Sequence, residues 1–190
     1  MNKNDFIFGI RAVIEAIESG KTIDKILIKK DLNGELAREL FAKIKEYGIL
    51  TQRVPMEKLN RITMKNHQGV VALLSPVTYF KLEQIVPTLY EDGIVPLVVL
   101  LDGITDTRNF GAIARTAECA GVNTIVIPER NSVSVNADAV KTSAGALLHI
   151  PICREIKIID AVRYLKECGF NIIFFHILFF VEHYFQIVHS

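Results

Sequence analysis

The segment 101–117 holds the residue types best suited to chemistry. It passes from an apolar run into an amphipathic stretch, which predicts a strand followed by a helix. Asn109 stands where we expect the helix cap, and Gly111 lets a ligand or another backbone approach the helix start, where free N–H groups favour a phosphate. Arg115 lies about 200° around the helix from Ile113, so we expect it to face a cleft or solvent. The residue types alone are equally consistent with an ordinary cap and a surface arginine.

The sequence lacks the motifs of several familiar enzyme classes. It contains no GxGxxG after a strand and no GxxxxGK[ST], so neither a dinucleotide site nor a P-loop is predicted. HExxH and GxSxG are also absent. The five histidines are scattered and the three cysteines form no CxxC, which argues against a metal site and a disulfide framework. We therefore expect neither a zinc enzyme nor a histidine-based hydrolase.

Strands and helices alternate around the segment 101–117. The apolar runs 97–101 and 124–127 are typical of strands buried on both faces of a parallel sheet. Helices are expected over 109–120 and 158–168. This βαβ order predicts an α/β domain with its site at the carboxyl ends of the strands.

Residues 1–75 show the pattern of a separate, small α/β unit. Two stretches with helical spacing alternate with three short apolar strands, at 26–28, 49–54 and 70–74. Residues 76–95 lack a strong period and contain turn-forming proline and glycine, so we expect a linker with one or two helical turns. The chain is therefore expected to have two domains.

Composition and charge indicate a soluble protein of the cytoplasm. Half of the 190 residues are hydrophobic and the formal net charge is +1, so a packed core is expected and no overall attraction to nucleic acid. Residues 1–90 hold 14 basic and 10 acidic side chains, a net of +4, whereas residues 91–190 hold 8 and 11, a net of −3. An anionic partner would meet the first half, although a solvated surface explains the charges as simply. No signal peptide is expected at the start, and the apolar run 172–181 is shorter than the roughly 20 residues that span a bilayer.

Two parts of the second half resemble a known family. Asn109–Ala117, preceded by Leu101–Asp106, resembles the first motif of the SpoU (TrmH-like) RNA 2'-O-ribose methyltransferases, with Thr107 where proline is usual. Asn136–Ala146 and His149–Ile152 are similar to the next stretch of that family. The resemblance implies transfer of a methyl group from S-adenosylmethionine to a ribose 2'-hydroxyl, and a homodimer with its cofactor in a C-terminal trefoil knot.

The same resemblance assigns roles to Asn109 and Arg115. It implies that Arg115 is the catalytic arginine and that Asn109 helps to hold the loop and the substrate nucleotide. Because a guanidinium stays protonated, it makes a poor general base. We expect Arg115 to bind the adjacent phosphate and to stabilise negative charge that develops on the 2'-oxygen.

The first half resembles the substrate-binding domain of the bacterial 23S rRNA guanosine 2'-O-methyltransferases. The likeness rests on Phe8–Val13 and His67–Val70. It implies ribosomal RNA as the partner, with candidate RNA contacts at Arg11, Lys65, His67 and Gln68. A plain surface role for each of these four residues is equally open.

The last segment departs from the family pattern. A Gly-rich loop with a glutamate and an Asn-Val-Ser-like segment should follow the strand at 170–173, but residues 174–190 are Phe-rich and contain neither. We expect 96–173 to be an incomplete SPOUT-like methyltransferase domain that lacks the knot, followed by a non-family tail after a change of reading frame; a divergent ending that completes the last strand stays open. No intact cofactor site is then expected, and the chain would be inactive and prone to self-association. The alternative function is that of a non-catalytic RNA-binding protein or fragment.

Overall fold

The chain divides between Ser75 and Pro76 into two compact units. A computed structural model of the protein describes residues 6–179 and 181–189. Both units combine helices with a sheet, so the α/β class expected from the sequence is confirmed. No helix in the part of the chain so described is long and apolar enough to cross a membrane.

The first unit is a four-stranded sheet with three helices. Its elements in chain order are β1 Phe6–Phe8, α1 Ile10–Glu18, β2 Ile23–Lys29, α2 Glu35–Glu46, β3 Thr51–Val54, α3 Met56–Asn60 and β4 Val70–Leu74. The strand order is β1-β4-β2-β3, in which only β2 and β3 are parallel. The short β1, which the sequence pattern did not predict, continues the sheet beyond β4.

The two faces of this sheet have separate cores, because residues along each strand alternate between them. On one face, α1 and α2 bury their apolar stripes against strand residues such as Ile26 and Ile28. On the other face, Leu59 of α3 packs on Leu27 and Val71. The loop 61–69, which joins α3 to β4, thus leaves from the second face.

The second unit is a six-stranded sheet between two layers of helices. Its elements are β5 Tyr79–Phe80, α4 Leu82–Glu91, β6 Leu97–Asp102, α5 Thr107–Cys119, β7 Thr124–Pro128, α6 Ala137–Thr142, a 3-10 turn Ala146–Leu148, β8 Ile152–Glu155, α7 Ile158–Glu167, β9 Asn171–Phe179 and β10 Val181–His189. The strand order is β5-β8-β7-β6-β10-β9. The strands β5 to β8 are mutually parallel, as the βαβ pattern predicts, while β10 is antiparallel to both β6 and β9.

The helices of this unit cover opposite faces of the sheet. On one face, Phe110 and Ala114 of α5 join Ala139 of α6 in a core with alternate residues of β6 and β7. On the other face, α4 and α7 pack on the remaining strand residues, with Leu82 and Leu165 fully buried. A parallel sheet with both faces covered is the expected setting for apolar strands such as Leu97–Leu101.

Residues 76–95 are not a linker; they form β5 and α4 and belong to the second unit. The Lys81 ammonium lies 3.6 Å from a Glu129 carboxylate oxygen and 3.5 Å from one of Glu155. Glu155 also accepts a hydrogen bond from Leu82 N at the start of α4, at 2.9 Å. The sequence pattern missed the helix because Pro87 lies inside it and because its position is set by these long-range contacts.

Candidate active site and RNA interface

The carboxyl ends of β6, β7 and β8 form one edge of the large sheet. The connection from β6 to β7 runs through α5 on one face, whereas the connection that leaves β8 runs through α7 on the other. Open α/β sheets bind their ligands beside the strand where such connections change face. The residues that follow β6, β7 and β8 at this edge are therefore the first place to look for a site, as the sequence pattern indicated.

The start of α5 is built differently from the sequence expectation. The residue that caps α5 is Asp106, whose Oδ1 accepts a hydrogen bond from Asn109 N at 2.7 Å. The prediction that Asn109 is the cap is therefore wrong. Thr107 takes the first helical position, which also suits the proline usual there, so the chain turns into the helix before it reaches Asn109. Asn109 is exposed in the first turn, and its side chain takes no part in the cap.

Gly111 lets another backbone come close, as expected, and that backbone belongs to α6. A Cβ atom at this position would lie 2.7 Å from Thr142 Cβ and 2.8 Å from the carbonyl oxygen of Ala139. The buried face of α5 accordingly includes Gly111, Ala114 and Ala117 beside Phe110. The close packing of α5 on α6 thereby fixes which face of α5 remains exposed.

Arg115 is exposed on α5, in agreement with the orientation expected from its spacing. It lies about 120° around the helix from Asn109, so the two side chains do not share one face. Arg108, by contrast, is also exposed, and its seven-residue spacing puts it within about 20° of Arg115 and about 10 Å away along the axis. The sequence interpretation overlooked Arg108, although this spacing could have identified it. Arg108 and Arg115 form the basic face of α5.

A groove of about 360 Å³ lies at the same sheet edge, beside the start of α7. Asp102, Arg130 and Lys157 supply charges of both signs, and apolar residues that include Ile158 and Phe174 form the remaining wall. The α7 residues of this groove pack on the sheet face opposite to α5. The groove and the basic face of α5 therefore belong to opposite helical layers.

Two groups of the second unit with raised pKa values lie away from this edge: Cys153 is buried in the core, and Tyr164 is half-buried against it. Burial raises the pKa of the Cys153 thiol to about 11. Burial, followed by a hydrogen bond with Cys168, raises the pKa of Tyr164 to about 12. Both groups keep their protons at neutral pH, so neither offers a nucleophile or a base. Within the described ranges, no three His, Cys, Asp or Glu side chains converge to hold a metal ion.

In the first unit, the four expected RNA contacts fall into two kinds. The His67 side chain is buried, 5% exposed, with Nε2 2.9 Å from Asn60 Oδ1 and Nδ1 accepting from Gly69 N at 3.0 Å. Gln68 Oε1 accepts a hydrogen bond from Ile10 N, the first N–H of α1, at 3.0 Å. Both side chains thus have partners within the protein, and the His67 ring is buried while Gln68 is exposed. The burial of His67 does not support a direct contact of its ring with RNA.

Arg11, Lys65 and Gln68 are the exposed members of the set, and Arg11 and Lys65 among them are cationic. Arg11 is the second residue of α1, one residue beyond the N–H group that Gln68 binds. The Lys65 ammonium lies 5.9 Å from the centroid of the Phe8 ring, next to the start of the same helix. The structure therefore brings Arg11 and Lys65 to the same end of α1, while Asn109 and Arg115 belong to the other unit.

Two sequence families match the chain in succession. Residues 6–80 match the family described as RNA 2'-O ribose methyltransferase substrate binding, and residues 96–185 match the SpoU rRNA methylase family. The second match includes most of the segment 174–190, which the sequence interpretation placed outside the resemblance.

Relatives with curated names show the same likeness. Proteins of Staphylococcus haemolyticus and of Staphylococcus aureus strain MSSA476, both named as TrmH family tRNA/rRNA methyltransferases, are 37% identical over 164 residues. These alignments cover 86% of this chain and 66% of each relative, so the chain spans just under two thirds of their length.

Solved structures are similar over a comparable part of the chain. The SpoU methyltransferase AviRb from Streptomyces viridochromogenes, in complex with AdoMet, is 22% identical with a TM-score of 0.40, over 86% of this chain and 60% of its own. An AdoMet-bound rRNA methyltransferase from Sinorhizobium meliloti is 25% identical with a TM-score of 0.37, over 85% and 57%.

Proposed function

The chain belongs to the SpoU (TrmH) family of RNA methyltransferases, and we propose that its substrate is ribosomal RNA, 23S by the likeness of the first unit, and its acceptor a ribose 2'-hydroxyl. The observation that carries the proposal is the start of α5, where a motif of the family forms a capped helix with Asn109 and Arg115 exposed. The basic residues at the start of α1 give the first unit a surface for a polyanion.

In this proposal Arg115 stabilises negative charge and does not accept a proton. An arginine stays protonated in proteins, so it does not remove the hydroxyl proton. Its guanidinium binds the phosphate next to the reacting ribose and stabilises the charge that develops on the 2'-oxygen. Arg108, on the same helix face, binds a second phosphate, and Asn109 contacts the nucleotide from the first turn of α5.

The groove beside α7 is the candidate place for S-adenosylmethionine. Its donor set fits the chemistry of that molecule: the Asp102 carboxylate would hold a cationic group, and Arg130 and Lys157 would hold a carboxylate. The apolar wall, which includes Ile158 and Phe174, would take the adenine ring. When bound, the cofactor supplies an electrophilic methyl group.

We propose further that these 190 residues on their own bind RNA without transferring the methyl group. Methyl transfer demands that donor and acceptor be held in line. The groove lies on the α7 side of the sheet and Arg115 on the α5 side, which supports the proposal that the two are not brought together. Residues 174–190 also carry no glycine, so they provide no Gly-rich loop at this edge. We therefore propose that these 190 residues, on their own, act as a non-catalytic RNA-binding protein.

We propose that the protein self-associates through the outer edge of the large sheet, within the cytoplasm. β9 is the outermost strand there and pairs only with β10 among the described strands. Such an edge offers unpaired N–H and C=O groups to a second chain. Light scattering on the purified chain tests this: we expect a mass of at least a dimer, and a monomer at micromolar concentration would refute it.

RNA binding tests the proposed substrate. A 23S rRNA fragment should bind with an affinity that falls steeply as salt rises, because phosphate contacts release counterions. Arg11→Ala and Lys65→Ala should each weaken binding, whereas Arg38→Ala, an exposed arginine on α2, serves as the matched control. If the three variants bind the RNA fragment with equal affinity, the proposed RNA-binding surface is refuted.

A further inference from the structure

The imidazole of His67 has a defined protonation state. Its Nδ1 accepts the Gly69 N–H, so Nδ1 carries no proton. A neutral ring must then hold its proton on Nε2, where it is donated to Asn60 Oδ1 at 2.9 Å. The ring is 5% exposed, so water does not replace either partner readily.

These two hydrogen bonds join the ends of the loop 61–69. Asn60 is the last residue of α3, and Gly69 immediately precedes β4. Between His67 and β4 the backbone is left-handed at two successive residues, with φ of 53° at Gln68 and 79° at Gly69. Because a glutamine rarely adopts this conformation, surrounding contacts must hold it in place. The bond from Gly69 N to the ring is one such contact.

The left-handed backbone at Gln68 directs its side chain to α1. There Gln68 Oε1 accepts the Ile10 N–H, which otherwise has no partner within the helix. The same loop carries Lys65, whose ammonium lies 5.9 Å from the centroid of the Phe8 ring. Thus the loop sets the position of Lys65 relative to Arg11, the exposed residue that follows Ile10.

We propose that His67 is a positioning residue for RNA: its neutral ring locks the loop 61–69 against α1, and its protonation releases the loop and weakens RNA binding. The inference rests on the proposed RNA-binding function. A protonated ring donates from both nitrogens, so Nδ1–H would face the Gly69 N–H and that bond would be lost. A direct phosphate contact gives the opposite sign, because an imidazolium binds a phosphate more tightly than a neutral ring does.

The charged side chains near His67 do not change the expected direction of the pH effect on RNA binding. The charged residues on the loop and on the neighbouring α3, β2 and α1 are Glu57, Lys58, Arg61, Lys65, Lys29, Arg11, Glu15, Glu18, Asp24 and Lys25. Histidine is the side chain whose charge ordinarily changes between pH 5 and 8. A pH effect in this range that depends on residue 67 therefore reports the imidazole.

Titration of a 23S rRNA fragment at pH 8.0 and pH 5.5, at fixed salt, tests the proposal. We expect weaker binding at pH 5.5, by at most roughly tenfold, because one buried hydrogen bond is lost on protonation of Nδ1. His67→Asn should give the same affinity at both pH values, because an amide oxygen replaces Nδ1 as the acceptor and does not titrate. The shorter side chain loses the bond to Asn60, so this affinity should lie below that of the unaltered protein at pH 8.0. His149→Asn, at an exposed histidine of the other unit, should leave the difference intact. Tighter binding at pH 5.5, or a pH effect that survives in His67→Asn, would overturn the proposal.

A measurement without RNA tests the positioning role of His67 separately from the proposed RNA-binding function. Nitrogen-15 NMR of the histidine rings should show His67 protonated on Nε2 at pH 8.0. The protection of the Gly69 amide from exchange, measured relative to an unstructured peptide at the same pH, should fall at pH 5.5. A proton on Nδ1 at pH 8.0, or equal protection of the Gly69 amide at both pH values, overturns the positioning role alone. If the ring and the amide behave as expected while RNA binds at neither pH, the RNA-binding function itself fails, and the positioning role with it.

Discussion

The Asp106 carboxylate accepts a hydrogen bond from the backbone N–H of Asn109, with 2.7 Å between Oδ1 and N. This contact assigns the cap of α5 to Asp106 and leaves the Asn109 side chain exposed in the first turn. The cap and the exposed polar side chain of the first turn thus belong to two residues three positions apart.

Replacing each of the two residues by alanine should separate these roles. Asp106→Ala should lower the free energy of unfolding by about 1 kcal/mol, because a helix N–H loses its acceptor. Asn109→Ala should change it by less than about 0.5 kcal/mol, since its side chain is exposed. Urea unfolding followed by circular dichroism measures both. A larger loss for Asn109→Ala than for Asp106→Ala would contradict this arrangement.

Gly111→Ala should destabilise the protein although alanine is the better helix former. The new Cβ would lie 2.8 Å from the backbone carbonyl oxygen of Ala139, so α6 must move, at a cost of about 1–3 kcal/mol. Chemical denaturation of the variant tests this. Adding Thr142→Ala should not restore stability, because the Cβ of residue 142 and the Ala139 carbonyl both remain. An increase in stability for Gly111→Ala would show that α5 and α6 are less closely packed.

Removing either arginine from the basic face of α5 should reduce the salt dependence of RNA binding. Each phosphate contact contributes about −0.7 to the slope of log affinity against log salt on single strands. Arg108→Ala and Arg115→Ala should each make the slope shallower by about this amount. Arg163 of α7 is exposed but paired with Asp160 at 3.2 Å, so Arg163→Ala is the control and should leave the slope unchanged. The same slope for all three variants would exclude α5 from the RNA interface.

The buried Cys153 thiol should make the protein less stable at high pH. Burial raises its pKa from 9.0 to about 11, so the unfolded chain loses this proton first as the pH rises. The free energy of unfolding should then fall as the pH rises from 9.0 to about 11, by at most about 1.4 kcal/mol per pH unit. Urea unfolding at pH 8.5 and 10.5, compared with Cys153→Ala, isolates the thiol. An equal loss of stability in both proteins would assign the effect to other groups.

Much of this fold could be predicted from patterns within short stretches of sequence. The apolar run 97–101 and the amphipathic stretch after it correctly indicate β6 and α5. The cap of α5 could not be fixed in this way, because Asp106 and Asn109 are both good capping residues and only the path of the backbone selects one. Residues 76–95 were missed for a related reason, since their helix depends on Glu129 and Glu155, far away in the sequence.

The candidate site, like the fold, could be predicted from the sequence only in part. The family motif identifies Asn109 and Arg115, and the spacing of Arg115 predicts its exposure. Burial of His67 has no local signature, because its partners Asn60 and Gly69 are brought together only by the loop between α3 and β4. The resemblance of the first half made His67 a candidate RNA contact, whereas the structure shows a ring enclosed by protein.

Ribose methylation of 23S rRNA by the purified chain tests the central claim most directly. The RNA would be incubated with methyl-labelled S-adenosylmethionine under conditions in which its binding to the chain has been measured by titration. The account predicts saturable RNA binding with a steep salt dependence and no incorporation of label above that of Arg115→Ala. Incorporation into a ribose 2'-hydroxyl that is lost in Arg115→Ala would contradict it and would show that these 190 residues form a working methyltransferase.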